Sequence, residues 1–344
     1  MNIQHALKQV IGGTDLSRSD MTSVMNAIMT GECTDAQIAG FLVALRLKGE
    51  TVDEITAAAE VMRSLSSKVD VNADYLVDTC GTGGDGANTF NISTTCAFVV
   101  AAAGARVAKH GNRSVSSNSG SADLLEAAGV NLALTPEQVA ECIEEIGIGF
   151  MFAPAHHSAM KHAIAARKEM GVRTIFNVLG PLTNPASAPN QVMGVFDRSL
   201  LEPISSVLKK LGSRQVMVVH SIDGLDEISI SAPTHIAELK NEMLSTYQIQ
   251  PEDFGLQTAP IETIAINGVE DSLNTMHEIF DNRSGPARDI VCLNAGAAIY
   301  VSGIAETLKQ GIEKADDVIA NGLAKQKLND LIQKSDHYKN NKEL

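Results

Sequence analysis

Apolar residues between Leu16 and Leu65 recur at helical spacing, with Met21, Val24, Met25, Ile28 and Met29 forming one stripe and Ile38, Phe41, Leu42 and Leu45 a second. Start and stop signals divide this region. Gly31 ends one helix and Thr34 caps the next, while Thr51 caps a third running through Ile55 to Leu65, with Glu54 completing a T-x-x-E capping box. The pattern predicts a small all-helical unit.

After Asp70 the texture changes to short β-branched runs alternating with Ala-rich or amphipathic segments, the pattern of parallel strands joined by crossover helices. Strands are predicted at residues 75–78, 106–109, 148–152, 191–196, 214–220 and 263–266. A helix is predicted over 135–146, where Thr135, Pro136 and Gln138 form a further capping box. Residues 156–170 read as helical, and 173–189 then carry a Gly-Pro and an Asn-Pro, the punctuation of a chain crossing between domains. The fold class is α/β. A helical domain is expected over 1–70 with a return segment near 155–189, and an α/β domain with a mainly parallel central sheet over 71–154 and 190–344. The polar tail, 335–344, is expected to fray.

A chain of 344 residues exceeds the usual size of a single hydrophobic core, which favours two domains. Its net charge of −14 opposes nonspecific nucleic-acid binding, so any phosphate site must be local. With no Trp and 4% aromatic residues, a stacking surface for single strands is also hard to assemble. Five scattered cysteines show no C-x-x-C spacing, which argues against a disulfide framework or a thiolate zinc site and for a reducing compartment. The N-terminus lacks a basic stretch followed by an apolar run, and no apolar segment approaches the roughly 20 residues a membrane helix needs. A cytoplasmic protein without membrane contact is expected.

Two loops carry the candidate chemistry. Gly81-Thr82-Gly83-Gly84-Asp85-Gly86 follows the first predicted strand and leads through Thr89 and Asn91-Ile92-Ser93-Thr94 into an apolar helix. Lys109-His110-Gly111-Asn112-Arg113 follows the second and continues through Ser114, Val115, Ser116 and Ser117 to Ser121 and Asp123. Glycines, small hydroxyls and cations before helix N-termini suit one polyanionic ligand bound by both loops. The spacing is neither G-x-G-x-x-G nor a Walker loop. A glycine cluster alone is as often a tight turn, and hydroxyls at a helix start also serve as caps. Lys109 ends a strand, where a surface lysine is usual and anion binding becomes the better reading beside the glycines. His110 can act as a general acid or base, or be a structural histidine. Asp223, Asp226 and Glu227 follow another strand. An acidic loop is usually a solvated turn, but at that sheet edge such carboxylates also hold Mg²⁺ on a substrate phosphate. By pattern alone Arg167 is a surface cation, and His156, His157 and His162 read as helix-surface histidines, since no cysteine or carboxylate completes a zinc set.

At these residues the chain resembles the anthranilate phosphoribosyltransferases over nearly its whole length. The likeness rests on Gly81 to Asp85, Asn91 to Thr94, Lys109 to Asp123, Asn177 to Pro185 and Asp223 to Glu227, and on Gly31 to Gln37 and Ala44 to Thr51 in the helical part. The resemblance implies a hinged helical domain, a homodimer formed through it, two Mg²⁺ ions, and phosphoribosyl pyrophosphate and anthranilate as substrates, with neither nucleic acid nor membrane as partner. On that pattern Gly81, Gly84, Asp85, Thr89, Asn91, Ser93, Thr94, Lys109 and Ser121 hold phosphoribosyl pyrophosphate. Ser93, Asp226 and Glu227 hold the metal. Asn112 and Arg167 hold anthranilate, with Gly180 nearby. A pyrimidine nucleoside phosphorylase and a silent, nucleic-acid-binding relative are the rival readings; Asn112-Arg113 and the Asp226-Glu227 pair argue against the first, and the acidic charge against the second.

Overall fold

The computed structural model describes residues 1–114 and 119–340; Val115, Ser116 and Ser117 of the expected ligand loop lie outside them. The helical opening consists of α1 (Ile3–Ile11), α2 (Arg18–Met29), α3 (Asp35–Lys48) and α4 (Val52–Leu65). Thr34 with Gln37 and Thr51 with Glu54 form the two capping boxes, each satisfying otherwise orphaned N–H groups. Glu54 does more than cap. Its buried carboxylate also accepts from the Leu16 N–H at 2.9 Å and pairs with Lys48 at 2.9 Å, tying three segments together. Met21, Met25, Ile28, Ile38, Phe41, Leu42 and Leu45 fill the centre of this unit.

The α/β part builds one seven-stranded sheet from β1 (Leu76–Gly81), β2 (Arg106–Gly111), β3 (Ile148–Phe152), β4 (Asn190–Gly194), β5 (Gln215–Ser221), β6 (Thr234–Lys240) and β7 (Met243–Ile249). The order is β3-β2-β1-β4-β5-β6-β7; the first five strands run parallel, and β6 and β7 antiparallel. Alternation divides the side chains between two cores. Val77, Val107, Val192, Met217 and Val219 face one side, which is covered by α5 (Ile92–Ala102) together with helices from the C-terminal third of the chain. Met193, Val216 and Val218 face the other side and share an apolar cluster with the helical opening.

Between β2 and β4 the chain forms α6 (Ser121–Ala127), α7 (Pro136–Ile146), α8 (Ala153–His156), α9 (Lys161–Met170) and α10 (Phe176–Leu182). Ala163, Ala166, Phe176, Leu179 and Leu182 belong to the same cluster as α2 and α3. The predicted helix over 156–170 is therefore broken, with a short 3-10 turn at Ser158–Met160 before α9. The remaining helices are α11 (Leu201–Lys210), α12 (Val269–Phe280), α13 (Pro286–Ser302), α14 (Leu308–Ala320) and α15 (Leu323–Asn340). Among the described residues, no helix is long and apolar enough to cross a membrane.

Three local expectations are corrected. Residues 263–266 form no strand; a 3-10 turn, Ile261–Ile264, precedes a lone bridge from Ala265 to Thr89. The β6–β7 hairpin adds two strands that the sequence pattern does not predict. Its two-residue turn puts both Asn241 and Glu242 at positive φ, a conformation usually signalled by a glycine that this turn lacks. The polar tail does not fray before Asn340, because α15 packs on α5 and α7, Ser335 is buried and bonds to the Asn131 N–H, and the Tyr338 hydroxyl donates to Glu141.

Candidate active site

The strand order reverses between β1 and β4: the chain leaves β1 for β2 and β3 on one side, then returns to β4 on the other. A crevice outside the carboxyl ends of the strands opens at such a point. Here the edge is finished by a registered pair of glycines, Gly81 and Gly194. Both lack side chains because the loop after β5 occupies the space. A Cβ on Gly194 would overlap the Asp226 backbone, and one on Gly81 would overlap the Asp226 carboxylate. That carboxylate accepts from the Gly83 N–H at 2.6 Å, so the acidic loop and the glycine loop meet over the switch point.

The acidic loop is braced on both sides. Asp223 accepts from the Leu225 N–H and from the hydroxyls of Ser229 and Ser231. On α13, Asn294 accepts from the Ile228 N–H and donates to the Ile228 carbonyl, each at 2.8 Å. Asp226 is thereby held buried and Glu227 half-buried. Burial, with Asp85 facing Asp226 and Asp226 facing Glu227, pushes both carboxyls well above the usual carboxylate range; Lys109 pulls Glu227 back only in part.

Lys109 is itself buried, against the expectation for a lysine at a strand end, and donates to the Thr79 carbonyl at 2.6 Å with the Ser93 hydroxyl at 3.4 Å. Its charge lies between the end of β1 and the start of α5. At that start Asn91 makes no side-chain cap; its amide bonds instead to Ser119 and Ser272, linking the two predicted ligand loops. The Ser93 N–H turns toward Glu227. Ile92 and Thr94 are buried in the first turn, and the Asp85 carboxylate accepts from the Ala87 N–H.

The second loop closes on itself. Gly120 lies against the backbone of residues 112–114, the Ser121 hydroxyl donates to the Asn112 carbonyl, and Asp123 accepts from the Ser114 and Gly120 N–H groups. Arg113 pairs with Asp123 and Glu126 and lies over Phe152, so its charge is already balanced within this loop and α6. Gly111, tight against Ser121, ends β2.

His110 and His157 sit 5.0 Å apart between ring centres, both buried, and among the described residues the Nε2 atom of each has no hydrogen-bond partner. Burial and the neighbouring His157, His156 and Lys109 push His110 down to about 3, leaving it neutral. His156 is also buried and bonds to the Ser67 carbonyl at 2.8 Å. The helix-surface reading of His156 and His157 is corrected: the break after α8 turns both inward. Arg167, half-buried, lies over the Phe176 ring at 5.1 Å, on the helix that also carries Gly180.

The donors at the switch point fit Mg²⁺: Asp226 and Glu227 offer carboxylate oxygens and Ser93 a hydroxyl, all hard ligands. Among the described residues, no three carboxylate, imidazole or thiol side chains converge as a complete metal cage. That suits an ion held by one or two carboxylates and completed by substrate phosphates. Gly194, the Asp223 clasp and Asn294 escape a sequence reading, for their signal is a spatial meeting of segments far apart in the chain.

Two family patterns match the chain: the glycosyl transferase helical bundle domain over residues 4–66, and the glycosyl transferase a/b domain over residues 73–325. The chain is 60% identical over 332 residues to an anthranilate phosphoribosyltransferase of Thioalkalivibrio sulfidiphilus, covering 96% of this chain and 98% of the relative. It is 62% identical to one from a Marinomonas species, covering 96% of each. A crystal structure of the Thermus thermophilus anthranilate phosphoribosyltransferase superposes with a TM-score of 0.91 at 42% identity, over 96% of this chain and 99% of that one. The Saccharomyces cerevisiae enzyme in complex with PRPP and Mg does so with a TM-score of 0.90 at 28% identity, over 97% and 98%. The chain therefore belongs to the anthranilate phosphoribosyltransferase family of glycosyl transferases.

Proposed function

We infer that this protein transfers the 5-phosphoribosyl group from phosphoribosyl pyrophosphate to the amino group of anthranilate, giving N-(5-phosphoribosyl)anthranilate and pyrophosphate in tryptophan biosynthesis. One observation carries the reading: Asp226 and Glu227 meet the glycine loop at the switch point, with Lys109 and the uncapped α5 N-terminus beside them. Such an edge binds a diphosphate. Breaking the ribose C1–O bond leaves an oxocarbenium-like sugar and a diphosphate, so the main catalytic demand is positive charge and N–H donors on the leaving group. Lys109 and the helix N–H groups supply part of this. Mg²⁺ on the diphosphate, two ions in this proposal, would supply the rest, held by Ser93, Asp226 and Glu227.

The glycine loop and the hydroxyls from Thr89 to Thr94 hold the phosphoribosyl part, and Ser121 closes the second loop on it. Anthranilate lies toward Asn112, Arg167 and Gly180. Its aromatic amine is uncharged near neutral pH and attacks without prior deprotonation, so the neutral His110 need not act as a base before the bond forms. The guanidinium of Arg167 pairs with the anthranilate carboxylate. Arg167→Ala is expected to raise the KM for anthranilate about 10- to 100-fold while kcat falls by less, as loss of a charge-assisted hydrogen bond predicts. Steady-state kinetics with anthranilate varied check this, and an unchanged KM removes Arg167 from the site.

The protein is further proposed to be a cytoplasmic homodimer joined through its helical part. Its five cysteines are free, and Ile11 on α1, Val43 and Leu47 on α3, Ile164 on α9 and the following Val172 are large apolar side chains exposed on that unit. Sedimentation should give twice the protomer mass, and Leu47→Asp should lower it; a monomer at micromolar concentration refutes the assembly. The reaction itself is tested by the loss of anthranilate fluorescence on mixing protein, phosphoribosyl pyrophosphate and Mg²⁺. A decay that requires all three supports the function, and no decay at high enzyme concentration overturns it.

A further inference from the structure

We propose that Arg173, in the segment joining α9 to α10, is the positioning residue that sets the glycine loop for the diphosphate, and that it acts through Gly84. The inference rests on the phosphoribosyl-transfer reading above. The Arg173 guanidinium donates to the Gly84 carbonyl and lies over the Phe196 ring, 4.0 Å from its centre. It occupies the space in which a Gly84 side chain would stand. Phe196 is bound to the same loop, since its N–H donates to the Thr82 hydroxyl at 3.0 Å and the Thr82 N–H donates to Gly194 at 3.0 Å. The loop is thus held at Thr82 by the end of β4 and at Gly84 by Arg173.

The other end of Arg173 is fixed elsewhere. Arg46 on α3 donates to the Arg173 carbonyl, so the backbone of this residue is tied to the helical unit and its head to the α/β unit. Gly83, Gly84 and Gly86 all have positive φ, and a loop so rich in glycine has much freedom to lose on ordering. A single cation that binds the loop carbonyl and stacks on a fixed ring removes that freedom before the substrate arrives, which lowers the cost of binding. Unlike Arg113, Arg173 makes no ion pair among the described residues, so its charge remains uncompensated beside the loop that faces the diphosphate.

Wild type, Arg173→Ala and Arg173→Lys are compared with phosphoribosyl pyrophosphate varied at saturating anthranilate and Mg²⁺. Loss of one charge-assisted bond predicts a KM for phosphoribosyl pyrophosphate about 10-fold higher or more in Arg173→Ala, with kcat within about threefold. Arg173→Lys recovers little of it, because a compact, strongly hydrated ammonium does not reproduce the guanidinium's simultaneous contact with the carbonyl and the ring. Hydrogen exchange in residues 82–87 is faster in both variants while α3 is unchanged. An unaltered KM in Arg173→Ala overturns the proposal, as does a fall in kcat that tracks melting temperature with no KM change. If Arg173→Ala does not fold, the KM of Arg173→Lys decides in the same way. Failure of the wild type to consume anthranilate would instead refute the parent reading.

Discussion

Changing Asp226 to Asn and Glu227 to Gln together is expected to lower kcat/KM by about 10³-fold or more at limiting Mg²⁺, since in the proposed site both changes remove a carboxylate that would hold Mg²⁺ on the diphosphate leaving group. The same variant should not be less stable than wild type at pH 8 without Mg²⁺. Both carboxyls have raised values in the folded protein, because burial and mutual repulsion disfavour their ionised forms. Between the ordinary carboxylate range, about 4, and those raised values, the folded state binds more protons than the unfolded state. Their contribution to stability therefore falls as pH rises through that window, and neutral amides remove the loss. The side-chain oxygen that Asp226→Asn retains still accepts from the Gly83 N–H, so the loop contact survives. Thermal melting at pH 5 and pH 8, beside kinetics over a Mg²⁺ series, checks both halves. Retained activity would sink the metal-holding role, and lost activity with a much lower melting temperature at pH 8 would mark the pair as structural supports.

Most of the fold was legible because the sequence repeats its physical signals at every level. The cap at Thr34 and the capping boxes at Thr51 and Thr135 give helix starts, and all three form, Thr34 with Gln37 as a box as well. The apolar strands β1 to β5 alternate between two cores, and their runs are plain in the sequence. The hairpin that follows was hidden for two reasons: β7 is exposed along most of its length, and its turn is Asn-Glu. Local pattern carries little sign of a strand held mainly by pairing with β6, with only Ile249 of its residues buried. Residues proposed to bind by type and motif, such as Lys109 and Asp226, stand out in the sequence. Those that matter by where the chain crosses itself did not: Arg173 looks like one more cation after a helix, and His157 looks like a surface histidine until the break after α8 turns it inward.

Gly194 is the sharpest instance, and Gly194→Ala is expected to cost more than any other single methyl in this region. The added carbon would overlap the Asp226 carbonyl, which is backbone, so no rotamer change relieves it. The loop cannot simply drift away, since Asp223 with its serines and Asn294 with Ile228 hold it on both sides. Either the end of β4 shifts away from β1, or the Asp226-Glu227 pair moves off the switch point. Overpacking of this kind costs about 1–3 kcal/mol of stability. Misplacing carboxylates proposed to hold the metal by an ångström or so is expected to cost about 10²-fold in kcat/KM. Gly268→Ala is the matched control, because that glycine has extended backbone and nothing within 4 Å of an added Cβ. The control should keep wild-type melting and kinetics. If Gly194→Ala does so too, the acidic loop is not positioned by its passage over the end of β4, and the crevice between β1 and β4 is not where Asp226 and Glu227 do their work.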